Sequence, residues 1–147
     1  MNLNLGCGTD FRDGWVNHDK IKHAKHIHPH DLNITPWPWQ ANSFERIDAI
    51  SVFEHLQITL IEALDECWRI LTPDGLLHIK YPLRTSPFIH DDPTHRWFWS
   101  DLVTDFVIKG TKYEKSCPFY TAYKWKLINR NKSERNCWVC LTPEGKK

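Results

Sequence analysis

The longest apolar runs in the 147 residues are only a few positions long, far short of the ~20 that a membrane span needs. The opening MNLNLGCG has neither the basic flank nor the apolar stretch of a secretion signal. No large excess of one charge sign exists either, since 19 Lys and Arg against 18 Asp and Glu leave a formal charge of +1. Cysteine is too sparse for a disulfide scaffold: five residues, at 7, 67, 117, 137 and 140, are an odd count that reads most simply as free thiols in a reducing compartment. These absences exclude disordered, collagen-like and disulfide-stapled chains and lead us to expect a cytoplasmic protein with no membrane association. A content of 41% hydrophobic and 25% charged residues fits one globular domain over residues 1–147, large enough to bury a real core. Eight tryptophans and nine histidines are the unusual abundances.

The small net charge hides an asymmetry. Residues 109–147 carry +7 and the remainder −6, which suggests either an anionic partner or merely the solvated face of a strand pair. No repeat or linker interrupts the chain. Strand-like runs at Asn2–Leu5, Trp15–Asp19, His26–Leu32 and Arg46–Val52 precede an amphipathic segment with Leu56, Leu60, Leu64 and Trp68 four apart. That spacing predicts a helix over 56–71, stopped by Thr72-Pro73-Asp74-Gly75, after which Leu76–Tyr81 resumes a strand. A second helix is expected from a Ser100 cap to Gly110, with Leu102, Val103, Phe106 and Val107 inside. Tyr123–Leu127 and Cys137–Leu141, separated by polar residues 129–134, read as a hairpin. Alternating strands and helices predict an α/β fold: a minimal doubly wound, mostly parallel sheet with a C-terminal antiparallel hairpin. Only residues 6–14 separate the first two strands, so a helix there is limited to one or two turns.

In such sheets ligands bind beyond the carboxyl ends of the strands, where the first turn needs glycine for close backbone approach. Gly6-Cys7-Gly8 occupies that turn, and Asp19 closes the second strand as an acceptor-only carboxylate suited to a pair of ribose hydroxyls.

Leu3-Asn4-Leu5-Gly6-Cys7-Gly8 followed by Gly14-Trp15-Val16-Asn17-His18-Asp19 resembles the opening of the class I S-adenosylmethionine-dependent methyltransferases, which have a Rossmann-like fold. Further stretches agree: His30-Asp31-Leu32, Asn42-Ser43-Phe44 through Ser51-Val52-Phe53-Glu54-His55-Leu56, and Glu66 through Gly75. The resemblance spans about residues 2–100, and the ordered combination is more specific than any one motif. It is closest to the type 11 group. It implies S-adenosylmethionine as cofactor, with Gly6, Cys7 and Gly8 under its methionine part, Asn4 and Leu5 also among the cofactor-binding residues, Asp19 on the ribose, Asp31 and Leu32 at the adenine, and Ser51 near the sulfonium. The chain departs from the family in the near absence of helices after strands one and two and of chain before strand one.

Methyl transfer needs alignment above all, and a base only where the nucleophile holds a proton. His95, Asp92 and His55 are the candidates, since both Glu54-His55 and the segment 90–99 follow strands at the carboxyl edge. His95 leads, because imidazole titrates near neutrality and relatives often carry a similar Asp-Pro-x-His segment. Each also reads as a loop-bracing or helix-starting residue. Of the remaining patterns, His23, His26, His28 and His30 have ligand-like spacing but no completing thiolate or acid, and Cys137 and Cys140 would face opposite sides of a strand. No metal site is therefore expected. Trp37, Trp39, Trp97 and Trp99 either wall a pocket for a planar substrate or fill the core.

The expected activity is methyl transfer to an unidentified acceptor; the alternative is a non-catalytic cofactor-binding or nucleic-acid-binding module. Because the early crossovers are short, one sheet face should lie open. Apolar sheet surface left open is costly, so a homodimer or larger protein partner is expected to cover that face, with the Trp37/Trp39 loop near the contact.

Overall fold

In the computed structural model, which describes residues 1–147, seven strands join one sheet in the order β3-β2-β1-β4-β5-β7-β6. They are β1 (Asn2–Leu5), β2 (Val16–Asp19), β3 (Ile27–Pro29), β4 (Phe44–Ile50), β5 (Leu71–Pro82), β6 (Lys124–Lys132) and β7 (Asn136–Glu144). All neighbours pair in parallel except β7, which lies antiparallel to both β5 and β6. The chain winds outward from β1 to β3, then returns to place β4 on the other side of β1. That reversal opens a crevice at the carboxyl ends of β1 and β4. The fold is thus α/β, Rossmann-like and mostly parallel, with an antiparallel C-terminal hairpin.

The helix α1 (Leu60–Ile70) starts later than the leucine spacing predicts. Thr59 caps it: its hydroxyl accepts from the Glu62 amide, while the Glu62 carboxylate accepts from the Thr59 amide at 2.7 Å. This reciprocal capping box fixes the start and leaves Leu56 just beyond a separate 3-10 turn, Phe53–His55. Leu60, Ala63, Leu64, Cys67 and Ile70 form its buried stripe. The expected stop is instead strand. Leu71 already pairs with Phe44, and Pro73-Asp74-Gly75 fall at a register shift in β5. Glycine eases the close packing at 75, where a Cβ would lie 2.8 Å from Leu71 Cδ2 and 3.1 Å from the Phe44 carbonyl oxygen. The far end of α1 is closed from a distance by Lys146, whose ammonium donates to the carbonyls of Trp68, Arg69 and Leu71.

One local limit holds and two local expectations are corrected. No helix forms between β1 and β2, where the 6–15 connection runs as turns. The predicted 100–110 helix is reduced to a 3-10 turn at Val103–Phe106, because the following backbone is drawn into sheet-like pairing: Trp125 donates to the Val107 carbonyl and Lys109 donates to that of Trp125. A short helix α2 (Lys112–Ser116) follows. The hairpin continues past Leu127 into polar residues 129–132, since Asn129 pairs with Cys140 and Lys132 with Cys137.

Side chains alternate across each strand. On one face Leu3, Leu5, Ile47, Ala49, Leu77, Ile79, Val139 and Leu141 are buried beneath α1 and the loops. On the other, the register aligns Asn4, Asp48, His78, Cys140 and Asn129 in one row across five strands. The open face expected from the short crossovers exists, but it is largely polar, so it does not demand cover in the way an apolar face would. Trp37 is not near any exposed contact. It is 2% exposed, and its indole donates to the Leu32 carbonyl at 3.0 Å. Glu66 and Arg69 of α1 hold its backbone amide and carbonyl. Trp97 and Trp99 stack on each other and pack with the core, so all four tryptophans fill rather than wall.

Candidate functional site

A cleft of about 270 Å³ opens at the switch point. Its walls come from the ends of β1, β2, β3 and β4: Gly6, His18, Asp19, Lys20, His30, Asp31, Leu32, Asn33, Ser51, Val52, His55 and Leu56. Gly6 is demanded twice over, by φ +57° and because a Cβ would stand 2.7 Å from Val52 Cγ2. At the end of β2, Asp19 Oδ2 accepts from the Gly8 amide at 2.9 Å, which orients the carboxylate toward the glycine turn. Asp31 accepts from the backbone of Asn33 and pairs with Lys20 at 3.1 Å. The Asn33 amide and Lys20 together outweigh the cost of burial and hold the Asp31 carboxyl below its usual range. Ser51, just after β4, is a non-glycine residue at φ +56°, a left-handed conformation that such sites commonly carry.

The sequence-expected residues separate by position. Gly6, Asp19, Asp31, Leu32 and Ser51 line the cleft. Leu5 and Cys7 are buried, Gly8 acts through its amide on Asp19, and Asn4 turns to the opposite sheet face, where it donates to Asp10 and Asn17. Sequence reasoning missed His18, Lys20 and Asn33. His18 is 1% exposed, accepting from the Gly6 amide through Nδ1 at 3.3 Å, with Nε2 3.0 Å from the His30 carbonyl. Burial lowers its pKa, so a neutral ring braces the floor. Asn33 ties the end of β3 to the next wall by accepting from the Gln57 amide at 2.6 Å. The His-Asp and Asn side chains that follow β3 carried no periodic signal.

A second cleft of about 420 Å³ adjoins the first, sharing Lys20, Asn33 and His55 and adding Gln57 and residues Pro93–Arg96. Here the structure gathers His55, His95 and Asp92. The two imidazoles stand 4.8 Å apart by ring centroid, and His95 Nε2 is 3.7 Å from Asp92 Oδ2. The loop is drawn in by the Arg96 and Trp97 amides, which both donate to the Glu54 carbonyl. Glu54, read from sequence as a helix start, lies in the 3-10 turn and is 1% exposed, and neither carboxylate oxygen has a hydrogen-bond partner. Desolvation pushes its pKa up to about 7 despite the opposing pull of its own amide and of His95. Burial, followed by the neighbouring His95, lowers the pKa of His55. The histidines at 23, 26 and 28 do not join this cluster; His23 instead braces the Gly8 carbonyl at 2.7 Å.

No curated protein sequence matches the chain. Among solved structures it is similar to an S-adenosylmethionine-dependent methyltransferase from Thermotoga maritima, with TM-score 0.67 and 13% identity over 98% of this chain and 82% of that one. It is also similar to a chain of the complex between the Haloferax volcanii Trm112 methyltransferase activator and a methyltransferase, with TM-score 0.66 and 11% identity over 96% and 81%. A third is the methyltransferase CalH bound to SAH, with TM-score 0.58 and 13% identity over 97% and 51%. At these identities the likenesses establish the fold. The family model for a methyltransferase domain matches residues 6–79, half of the chain, and by that match the protein belongs to the methyltransferase-domain family.

Proposed function

We propose that the switch-point cleft binds S-adenosylmethionine and that the chain transfers its methyl group to an acceptor entering through the adjoining cleft. The observation that carries this reading is the convergence of Gly6, Asp19, Asp31, Leu32 and Ser51, from four separate strand ends, on one opening. These residues fit the cofactor. The Gly6 turn admits a ligand close to the backbone, Asp19 offers acceptor oxygens to ribose hydroxyls, and Asp31 beside the buried Leu32 offers the acceptor and apolar surface that adenine needs. The cofactor would supply an electrophilic methyl on a cationic sulfur. The chain's own part is placement: the Gly8 amide fixes Asp19, His18 fixes the Gly6 turn, and Ser51 lines the cleft after β4. His55, His95 and Asp92 are gathered on the acceptor side.

Calorimetric titration with S-adenosylhomocysteine tests the binding step. The native chain should bind, and at ~100 times its dissociation constant the ligand should add about 2.7 kcal/mol of apparent stability. Asp19→Ala should weaken binding about tenfold or more while leaving the circular dichroism spectrum unchanged. No thermal shift at millimolar ligand would overturn the reading. Turnover with labelled methyl donor and fractionated cell extract separates an enzyme from a cofactor-binding module.

The nucleic-acid alternative loses support from charge pairing. Within the basic C-terminal region, Lys109, Lys124, Arg130 and Lys132 are each engaged by a carboxylate, and Lys146 caps α1. Any remaining nucleic-acid affinity should fall steeply with salt. A protein partner stays within the proposal, with exposed Ile50 and Trp138 on the open sheet face as its apolar footholds. Light scattering separates a 17.5 kDa monomer from a dimer.

A further inference from the structure

Glu54, His55 and His95 each offer a ligand atom, all within 4.8 Å of one another. The hydrogen bonds behind them determine which atoms point inward. His95 Nδ1 lies 2.8 Å from the Ile89 carbonyl oxygen; a carbonyl only accepts, so Nδ1 carries the proton and Nε2 holds the free lone pair. His55 Nδ1 lies 2.8 Å from Thr94 Oγ1, whose own proton is committed to Asp92 Oδ1 at 2.6 Å. The hydroxyl must therefore accept from His55 Nδ1–H, which again leaves Nε2 as a lone pair. That atom is 4.0 Å from Glu54 Oε1, too long for a hydrogen bond. Glu54 itself is 99% removed from solvent with both oxygens unpartnered. Two oriented imidazole lone pairs and an unpartnered carboxyl group thus share one small space, with no hydrogen bond between them. A bound cation would supply the partner that all three groups lack.

We propose that Glu54, His55 and His95 form a divalent transition-metal site at the junction of the two clefts. Two imidazoles and one carboxylate favour zinc, manganese or iron over magnesium or calcium, which prefer oxygen alone. Ligands bonded at ~2.1 Å in a tetrahedral set lie about 3.4 Å apart, so closing this set takes movements of about 1 Å. The Ile89 carbonyl and the Thr94–Asp92 pair supply the outer hydrogen bonds that keep metal-binding imidazoles oriented. Three protein ligands leave at least one position open for water or an oxygen donor. That this donor is the methyl acceptor rests on the function proposed above; the metal site itself does not. No local pattern announced this set, because the ligand-like histidine spacing lies at 23–30, whereas these ligands come from two segments 40 residues apart.

The test is calorimetric titration of chelator-stripped protein with Zn²⁺ and Mn²⁺, with Co²⁺ absorption reporting ligand type. One equivalent should bind, and the Co²⁺ spectrum should show nitrogen and oxygen coordination. His95→Ala and Glu54→Gln should each weaken binding ~100-fold, and Thr94→Val about tenfold through the outer hydrogen bond. His28→Ala, at an exposed histidine of β3, should leave the titration unchanged. His95→Ala, at a loop residue, keeps the test decisive if Glu54→Gln fails to fold. Absence of a stoichiometric site, or one that survives His95→Ala but disappears in His28→Ala, overturns the proposal. The same stripped protein titrated with S-adenosylhomocysteine separates the two readings: cofactor binding without metal uptake removes only the metal site, and metal uptake without cofactor binding removes only the cofactor reading.

Discussion

On one face of the sheet, Ile47, Ala49, Leu77 and Val139 are sealed under α1 and the Trp37 loop; on the other, the neighbouring residues of the same strands, Asp48, His78 and Cys140, meet only a short connection and solvent. Each face uses a different means of stability. The covered face removes apolar area from water. The open face satisfies charge with charge: Arg46 and Arg12 both donate to the 4% exposed Asp48, and both guanidinia lie over the Trp15 ring. The 6–15 connection, too short for a helix, thus contributes an arginine where a longer crossover would contribute an apolar stripe. The comparison explains why a sheet with so few helices need not be apolar on both sides.

The largest effect that would sharpen this contrast is a paired truncation. Leu64→Ala removes a 1% exposed side chain from the covered face and should cost about 2–5 kcal/mol in urea unfolding. Ile50→Ala, at a 38% exposed position on the open face, should cost less than about 1 kcal/mol. Equal costs would mean that the open face is buried in solution by a partner or a second copy.

Next comes the charge network. Arg12→Ala should destabilise by about 1–2 kcal/mol, since it leaves Asp48 with one arginine and frees the connection from the sheet. The effect has a pH signature. Burial alone would raise the Asp48 pKa, but the hydrogen bonds from Arg46 and Arg12 outweigh it and hold the carboxyl below its usual value. A depressed carboxylate contributes stability above its unfolded pKa of ~3.9 that is lost as pH falls toward the folded value. Removing Arg12 raises the folded pKa, so acid unfolding should begin at higher pH than in the native chain. An unchanged acid limb would show that Arg46 alone neutralises Asp48.

The contrast between faces also marks what could be read from sequence. Strands with apolar cores, the leucine-striped helix (though not its capped start) and the glycine turn were legible because each has a local pattern: period two, period near four, or a residue tolerant of positive φ. The open face had no such pattern, because Arg12 finds Asp48 only through tertiary pairing 36 residues away. The candidate site divided in the same way. Asp19 was recognisable from its place at a strand end and Asp31 from the family resemblance, whereas Glu54 read as a helix start with no sign of the 90–97 loop folding over it. Its burial belongs to the packing of two distant loops, and no local window contains both. Residues 100–110 failed for a related reason: a helical apolar spacing was overridden when Val107 and Lys109 paired with Trp125.

The smallest effect concerns a carboxylate on the covered side whose pH dependence runs opposite to that of Asp48. Asp65, on α1, is half-buried and accepts from the Thr121 hydroxyl at 2.7 Å. Desolvation, with Glu62 and Glu66 adding repulsion, outweighs that hydrogen bond and pushes its pKa up to about 6. A raised carboxyl pKa means that the folded state binds the proton more tightly than the unfolded chain does. The cost of ionising Asp65 is absent below the unfolded value of ~3.9, grows between there and about 6, and is constant above. Asp65→Asn keeps an oxygen for Thr121 and removes the charge, so it should stabilise the protein by about 1 kcal/mol at pH 8 once solvent screening of a half-exposed group is allowed for, and by almost nothing at pH 4. Urea midpoints at the two pH values measure it. A variant less stable than the native chain at pH 8 would place the benefit of the Thr121 hydrogen bond above the cost of burying the charge, making this pair a second instance of the rule that governs Asp48.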